Sequence, residues 1–146
     1  MSNEKYDFET DPTASIYEFE SVGKRGIFKK QIAYVLIESS NIYNLSFVDI
    51  DRISGVMSDT VVSDNGDTQK VLATVASTVL DFTDRYTDVW VFAKGSTPAR
   101  TRLYQMGITT NLELITNNFE VFGLTKDGWK EFEIGTNFEA FLVKRK

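Results

Sequence analysis

The chain has 146 residues and contains neither cysteine nor histidine, which excludes Ser-His-Asp and Cys-His nucleophiles, thiol redox chemistry, Cys/His zinc sites and histidine pH switches. Its 16 Lys and Arg against 21 Asp and Glu give a formal charge of −5, which argues against non-specific binding to nucleic acid or anionic membranes as the main role. A hydrophobic content of 42% predicts one globular domain over residues 1–146, with residues 1–13 as a loosely held lead-in.

Three strands are predicted in the first third of the chain. Residues 16–22 and 42–50 alternate between apolar and polar side chains, and residues 27–38 are rich in β-branched and aromatic types. The connections, Gly-Lys-Arg-Gly at 23–26 and Ser-Ser-Asn at 39–41, have turn composition. Short polar connections between strands predict an antiparallel meander.

A first helix is predicted after the meander, with Asp67 or Asn65 as its N-cap. Its apolar positions repeat at the spacing of one helix face over about five turns. These positions are Val71, Val75, Val79, Phe82 and Tyr86.

A strand and a second helix are predicted next. Residues 88–94 form a nearly continuous apolar run, which is typical of a central strand covered on both faces. Thr97 is the predicted N-cap of the helix and Pro98 its first residue, where a missing N–H costs nothing. The predicted buried face of this helix comprises Tyr104, Ile108, Leu112, Ile115 and Phe119.

Strands return in the tail of the chain. Residues 119–125 and 129–134 flank an Asp127-Gly128 pair, which is a strong hairpin signal, and residues 138–144 predict a final strand. The order β-β-β-α-β-α-β-β, with one further β, predicts an α+β fold in which two helices pack on a mixed sheet. At the level of element order, its start resembles the ribonuclease H-like arrangement. The two crossovers through helices predict that the strands they connect are parallel neighbours.

The starts of the two predicted helices are the strongest candidate site. Right-handed crossovers would bring both to the carboxyl edge of the sheet, where free N–H groups and the helix dipoles suit an anion. The residues expected there are Asn65, Gly66, Asp67 and Lys70 from the first start, and Lys94, Gly95, Ser96, Thr97, Arg100 and Arg102 from the second. They predict a binding module for a small phosphate- or carboxylate-bearing ligand, and a nucleotide or a nucleic-acid end remains open.

The same residues have a structural interpretation. Gly-Ser-Thr-Pro is also an ordinary helix-start sequence. Arg100 lies one turn before Tyr104 on the predicted buried face, where it would pair with an acid such as Asp67 or Asp49. In that case, these groups only cap helices and neutralise one another.

A metal-dependent phosphoryl-transfer enzyme of nuclease-like type is the alternative function. Asp49 and Asp51 end the third strand, and with Asp67 they would offer hard oxygen ligands for Mg²⁺ or Mn²⁺. A solvated strand face explains the two carboxylates equally well. A ribonuclease H-like nuclease would also place a carboxylate at the end of the strand before the second helix, where this chain has Lys94. The sequence therefore favours a non-enzymatic role without a cofactor.

The aromatic residues suggest a third function, a protein–protein adaptor that works through the C-terminal hairpins. Five aromatic side chains are assigned to core faces: Phe82, Trp90, Phe92, Tyr104 and Phe119. Any exposed members of a second group, Trp129, Phe132 and Phe138, would mark a partner surface, and a homo-oligomer is one such assembly.

Two runs carry a resemblance to a known family. They are Asn65-Gly66-Asp67 with the Lys70–Val75 run KVLATV, and the Gly95–Tyr104 run GSTPARTRLY. Together with Asn44–Phe47 and Phe138–Val143, they resemble a family of small bacterial proteins, about 150 residues long, of unknown function. The resemblance implies a bacterial, single-domain, cytoplasmic protein and supplies no catalytic residue.

The cytoplasmic expectation also has a basis in the residues themselves. The polar, acidic first ten residues lack the basic-then-apolar order of a signal peptide. The longest apolar run, residues 32–37, is too short for a membrane span, so no membrane partner is expected.

Overall fold

The computed structural model describes residues 4–51, 54–55, 57–58 and 65–146 of the chain. Three helices are found in these residues: α1 (Thr68–Arg85), α2 (Pro98–Thr110) and α3 (Leu112–Asn118). The strands are β1 (Glu9–Thr10), β2 (Ile16–Gly23), β3 (Gly26–Leu36), β4 (Ile42–Ile50), β5 (Met57–Ser58), β6 (Trp90–Ala93), β7 (Phe119–Thr125), β8 (Gly128–Glu131) and β9 (Phe141–Arg145).

All described strands belong to one mixed sheet. Its order is β1-β2-β3-β4-β6-β9-β7-β8, with β5 paired to β4 beside the main path. The predicted meander is β2-β3-β4, and the predicted C-terminal hairpin is β7-β8. The α+β class and the mixed sheet are therefore confirmed, and the likeness to a ribonuclease H-like arrangement stays a comparison of element order.

The two helical crossovers have different outcomes. The first runs from β4 through α1 to β6, and these two strands are parallel neighbours, as the sequence predicts. The second runs from β6 through α2 and α3 to β7. Here the expectation of adjacent parallel strands is wrong, because β9 lies between β6 and β7 and pairs antiparallel with both. The C-terminal strand β9 thus connects β6 to the β7–β8 hairpin within the sheet.

The core lies between one face of the sheet, called here the helical face, and the helices. Alternate residues of the meander point into it, among them Tyr17, Ile32, Tyr34, Leu45 and Phe47. From α1, the buried members of the predicted apolar face are Val71, Val75 and Phe82, whereas Val79 and Tyr86 are half-buried. The period of 3.6 in the sequence therefore identified the helix face correctly.

The predicted second helix is divided into two. Asn111 ends α2, where its N–H and its Nδ2 both donate to the carbonyl of Gly107, at 3.1 and 2.8 Å. An asparagine side chain competes with the backbone in this way, and it follows two β-branched threonines that are weak helix formers. The chain restarts as α3, and Phe119, expected on the helix face, is the first residue of β7.

The prediction that β6 is covered on both faces is wrong. The face of the sheet opposite the helices is called here the open face. Trp90 and Phe92 point to this face and are only half-buried, so the strand is not covered on both sides. Trp90 lies 5.8 Å from Phe122, and Phe92 lies 6.2 Å from Trp129, between ring centroids. The three described helices pack on the helical face and leave this aromatic group without a helical cover.

The other tail aromatics belong to the core. Phe138 is 5% exposed, and its ring centroid lies 5.4 Å from Phe132 and 6.0 Å from Phe141. Gly123 makes this packing feasible, since an added Cβ there would stand 2.2 Å from the Phe138 ring. Of the three residues proposed for a partner surface, only Trp129 is exposed, at 44%.

The lead-in is attached to the fold through two aromatic side chains. The Tyr6 N–H donates to Thr74 Oγ1 at 2.8 Å, and its ring stacks on Phe19 with 5.7 Å between centroids. Phe8 meets Tyr17 edge-on at 5.2 Å. The N-terminal segment thereby covers the outer strands of the meander next to α1.

Candidate functional site

The site is built where β6 ends and α2 begins. The β4–β6 ladder stops at the pair Leu45–Ala93, and the β4–β5 ladder begins only at Asp49. Between these ladders, the edge of β4 faces the start of α2. Gly95 permits the close turn into the helix, because an added Cβ would lie 2.4 Å from the backbone N of Thr101.

Two adjoining clefts surround the start of α2. The inner cleft has a volume of about 120 Å³ and lies against β4. It is lined by Asn44, Leu45, Ser46, Phe47, Lys94, Ser96, Arg100 and Tyr104. The outer cleft, of about 390 Å³, lies on the other side of the helix start, next to residues 137–139. Because Lys94 and Ser96 line both clefts, the two form one continuous region.

Three cationic side chains reach this region. Arg100 is only 3% exposed, and its Cζ lies 4.9 Å from the centroid of the Phe47 ring, a cation–π distance. Lys94 and Arg102 are exposed, and neither forms an ion pair with a described residue. The only acid found among the described residues that line the two clefts is Glu139. Among the described residues that line the clefts, the three cations therefore outnumber the acid, in a chain that is acidic overall.

The backbone amides of α2 are largely satisfied by the chain itself. Thr97 is the N-cap, as predicted, and its Oγ1 accepts from the N–H of Arg100 at 3.1 Å. The N–H of Gly95 donates to Thr101 Oγ1 at 3.1 Å, and Pro98 has no N–H. An anion at this helix start would consequently be held mainly by side chains, with the dipole as a contributing field.

Asn65, expected at the other helix start, fastens the β2–β3 hairpin. It is 2% exposed, its Nδ2 donates to Gly26 O at 2.9 Å and to Ser21 Oγ at 3.2 Å, and its Oδ1 accepts from Arg25 N–H at 2.7 Å. Its carbonyl accepts from Lys24 N–H at 3.2 Å. Every polar group of this side chain is therefore engaged within the fold.

Asp67 makes a comparable internal set of contacts. Its Oδ2 accepts from Tyr6 Oη and from Ser21 Oγ, each at 2.5 Å, rather than capping α1. The Tyr6 hydroxyl accepts in turn from Val22 N–H, and Lys70 Nζ lies 4.3 Å from the Tyr6 ring centroid. Burial, and then the hydrogen bond to Asp67, raises the pKa of the Tyr6 hydroxyl. Through Asp67, the start of α1 therefore connects the N-terminal lead-in, which contributes Tyr6, to the β2–β3 hairpin, which contributes Ser21.

The two helix starts lie in separate places. Gly66, Asp67 and Lys70 line an open cleft of about 590 Å³ together with Glu4. No cleft found among the described residues is lined by both this start and the α2 start. Because Glu4 and Asp67 balance Lys70, the α1 cleft lacks the positive charge of the α2 clefts.

The acids considered for a metal are dispersed. Asp49 is buried against Lys30, with Oδ1 2.7 Å from Nζ, so its charge is already neutralised. Asp51 accepts from the N–H of Ser54 at 2.9 Å. In the part of the chain that the structure describes, no group of three or more Asp or Glu side chains is arranged to hold a metal ion.

Sequence reasoning missed Lys30 and Phe47, which lie beneath the α2 start. Lys30 Nζ and Arg100 Cζ lie 5.9 and 4.9 Å from the centroid of the Phe47 ring. The signal was present in β3, where strand alternation places Lys30 on the same face as Ile32 and Tyr34. A lysine on the apolar face of a strand requires a buried partner.

The fold and the clefts define an α+β protein with one open-faced mixed sheet and a cationic region at the end of its short central parallel strand. Among the described helices, none has the length and apolar character needed to cross a membrane. The sequence profile of the Family of unknown function (DUF6934) matches residues 2–146, and the chain belongs to this family. No curated protein and no solved structure matches the chain.

Proposed function

We propose that the protein is a binding module for a phosphate- or carboxylate-bearing ligand, held in the two clefts at the start of α2. The observation that carries the proposal is the convergence of Lys94, Arg100 and Arg102 on one region where Glu139 is the single acid found among the described lining residues. Ser96 adds a hydroxyl at the junction of the clefts. This set of groups is suited to an anion by charge and by hydrogen-bonding capacity.

The expected roles of the three cations differ. Arg100 is fixed by burial against Phe47, so it supplies a pre-positioned charge and loses little side-chain entropy when a ligand binds. Lys94 and Arg102 are exposed; Lys94 lines both clefts, and Arg102 lines the outer cleft. Their attraction to a ligand weakens with salt, because exposed charges are screened.

The test is thermal unfolding and calorimetry with inorganic phosphate at constant ionic strength. A ligand at 100 times its Kd stabilises by about 2.7 kcal/mol, which is roughly 5–10 °C for a domain of this size. Lys94→Gln together with Arg102→Gln should abolish most of this rise. The matched control is Lys126→Gln, an exposed lysine in the β7–β8 turn, which should retain it. An equal rise in all three proteins would contradict the proposed site.

A second candidate function, a protein–protein adaptor, is supported by the open face of the sheet. Trp90, Phe92 and Phe122 are half-buried there beside the exposed Trp129. Light scattering over a range of protein concentrations tests its simplest form, a homo-oligomer. Dimerisation that Trp129→Lys abolishes would support a homo-oligomer formed through the open face. A monomer at every protein concentration would contradict it.

A bacterial and cytoplasmic setting is part of the same proposal. It is supported by the resemblance of the Gly95–Tyr104 run to a family of small bacterial proteins. Expression of a tagged chain in a bacterium, followed by fractionation, tests the compartment.

A further inference from the structure

The outer cleft at the start of α2 is lined by charges of both signs. One wall is the β6–α2 connection with the first turns of α2, and it carries Lys94 and Arg102. The other wall is the segment before β9, which carries Asn137 and Glu139. The cleft volume of about 390 Å³ falls within the range of roughly 300–1,000 Å³ for small-molecule sites. The outer cleft therefore has room for a molecule larger than inorganic phosphate.

The second wall is held against α2 by Gln105. Gln105 Nε2 donates to the carbonyl of Thr136 at 2.6 Å, and its Oε1 accepts from the N–H of Phe138 at 3.1 Å. The Phe138 ring is buried in the core, and the N–H of Glu139 donates to the Leu124 carbonyl of β7 at 2.8 Å. The backbone that carries Glu139 is thus anchored to both α2 and β7, which fixes the position of this wall relative to the helix.

The polar side chains of the outer cleft differ in whether the fold already uses them. Thr97 and Thr101 accept hydrogen bonds from backbone N–H groups, and Gln105 is engaged through both of its amide atoms. Four side chains make no hydrogen bond or ion pair with a described residue: Lys94, Arg102, Asn137 and Glu139. Glu139 therefore shares the cleft with two cations and pairs with neither, which suits a ligand that carries both charges.

We infer that the ligand is an acidic amino acid bound in the outer cleft. Its α-ammonium group meets the Glu139 carboxylate, its two carboxylates meet Lys94 and Arg102, and the Asn137 amide supplies further hydrogen-bonding capacity. This inference rests on the proposed function and adds the chemical class of the ligand. The single net negative charge of such an amino acid matches the single net positive charge of Lys94, Arg102 and Glu139 together. A dicarboxylate without an ammonium group would instead face Glu139 with a like charge, which costs affinity.

The experiment is calorimetry of the native chain with L-aspartate and with succinate, at neutral pH and constant ionic strength. The two ligands differ only in the ammonium group that aspartate carries, so the ratio of their affinities reports on the surroundings of that group. We expect aspartate to bind about two- to fivefold more tightly, which is the usual strength of a solvent-exposed ion pair. Equal affinities, or tighter binding of succinate, overturn the inference.

The same titrations separate this inference from the proposed function. Binding of phosphate and succinate that Lys94→Gln together with Arg102→Gln abolishes would support the proposed function even if aspartate is not preferred. If phosphate, succinate and aspartate all fail to bind, both conclusions fall.

Glu139→Gln identifies the partner of the ammonium group. The variant keeps the shape of an exposed side chain that makes no hydrogen bond or ion pair with a described residue, so the fold should be unaffected. We expect the order of affinities to reverse, because aspartate loses its ion pair and succinate loses the repulsion. The matched control is Glu131→Gln, which changes the charge equally at an exposed residue of β8 outside the cleft and should retain the native order. If Glu139→Gln prefers aspartate as strongly as the native chain does, the ammonium group lies elsewhere and the inference is wrong.

Discussion

Removal of the buried lysine at position 30 should destabilise the protein far more than removal of the whole ion pair. Lys30 Nζ lies 2.7 Å from Asp49 Oδ1, and the two side chains are only 5% and 11% exposed. Asp49 Oδ2 is also buried and accepts no hydrogen bond from the described residues. The perturbation is Lys30→Met, which keeps the approximate length of the side chain and leaves the carboxylate buried without its cation.

The size of the effect follows from two opposing contributions. At 2.7 Å and an effective dielectric constant of about 20, the attraction between the charges is about 6 kcal/mol. Burial of each ion costs several kcal/mol, so the intact pair contributes little net stability. The single variant loses the attraction but keeps the burial cost of Asp49, and breaking such a pair typically costs about 3–5 kcal/mol. That is a large fraction of the roughly 5–15 kcal/mol that stabilises a domain.

Urea denaturation of three proteins provides the measurement. They are the native chain, Lys30→Met, and Lys30→Met combined with Asp49→Leu. We expect the double variant to recover most of the loss, because it removes the uncompensated charge and adds apolar volume. A loss below about 1 kcal/mol in the single variant, or an additive further loss in the double variant, would refute the assigned ion pair.

Two further predictions concern the N-terminal half of the fold. Asn65→Ala should cost about 3 kcal/mol in denaturant unfolding, since three side-chain hydrogen bonds are lost at about 1 kcal/mol each, whereas the exposed Asn117→Ala should be close to neutral. A ligand residue without a structural role would not behave in this way. The hydrogen bond from Thr13, and then the N–H of Ile16, lower the pKa of the Asp11 carboxyl to about 2. The ionised Asp11 carboxylate therefore stabilises the fold fully above its unfolded pKa near 4, and this stabilisation disappears as the pH falls through 2. Asp11→Asn should accordingly lower the Tm at pH 5 but not near pH 1.5.

The parts of the fold that local patterns specify were predictable from the sequence. Alternation in β2 and β4, the 3.6-residue period of α1 and the Asp127-Gly128 turn are each determined by neighbouring residues, and all are found in the structure. The position of β9 between β6 and β7 is not a local property, because it depends on which strands the tail can reach after the chain has collapsed. The same holds for the open face of β6. An apolar run fits a strand that is covered on both faces, and it also fits a strand that is covered on one face and carries an aromatic cluster on the other. Only the positions of the helices distinguish these two cases.

The sequence predicts that the candidate site lies at the start of a helix, but it does not determine which of the two helix starts forms the site. Asn65-Gly66-Asp67 and Gly95-Ser96-Thr97 each combine a glycine and a capping side chain with nearby cations. At the first start, the β2–β3 hairpin and Tyr6 arrive from distant parts of the chain and take up the polar groups. Those partners lie between 39 and 61 residues away from Asn65 and Asp67 in the sequence, so sequence spacing could not assign these contacts.

The α2 start differs from the α1 start. Its capping groups accept hydrogen bonds from N–H groups at the same helix start, whereas its exposed cations take no part in this capping. Thr97 and Thr101 satisfy the N–H groups of Arg100 and Gly95, whereas Lys94 and Arg102 have no ion pair with a described residue. A helix start can thus be capped and still carry cations without an ion pair to a described residue. Because backbone capping is local and charge balance is not, the cations rather than the Gly-Ser-Thr-Pro turn are the feature that separates the proposed binding site from an ordinary helix start. On this reasoning, substitution of Lys94 and Arg102 should affect anion binding without loosening α2, and substitution of Thr97 should loosen α2 whether or not an anion is present.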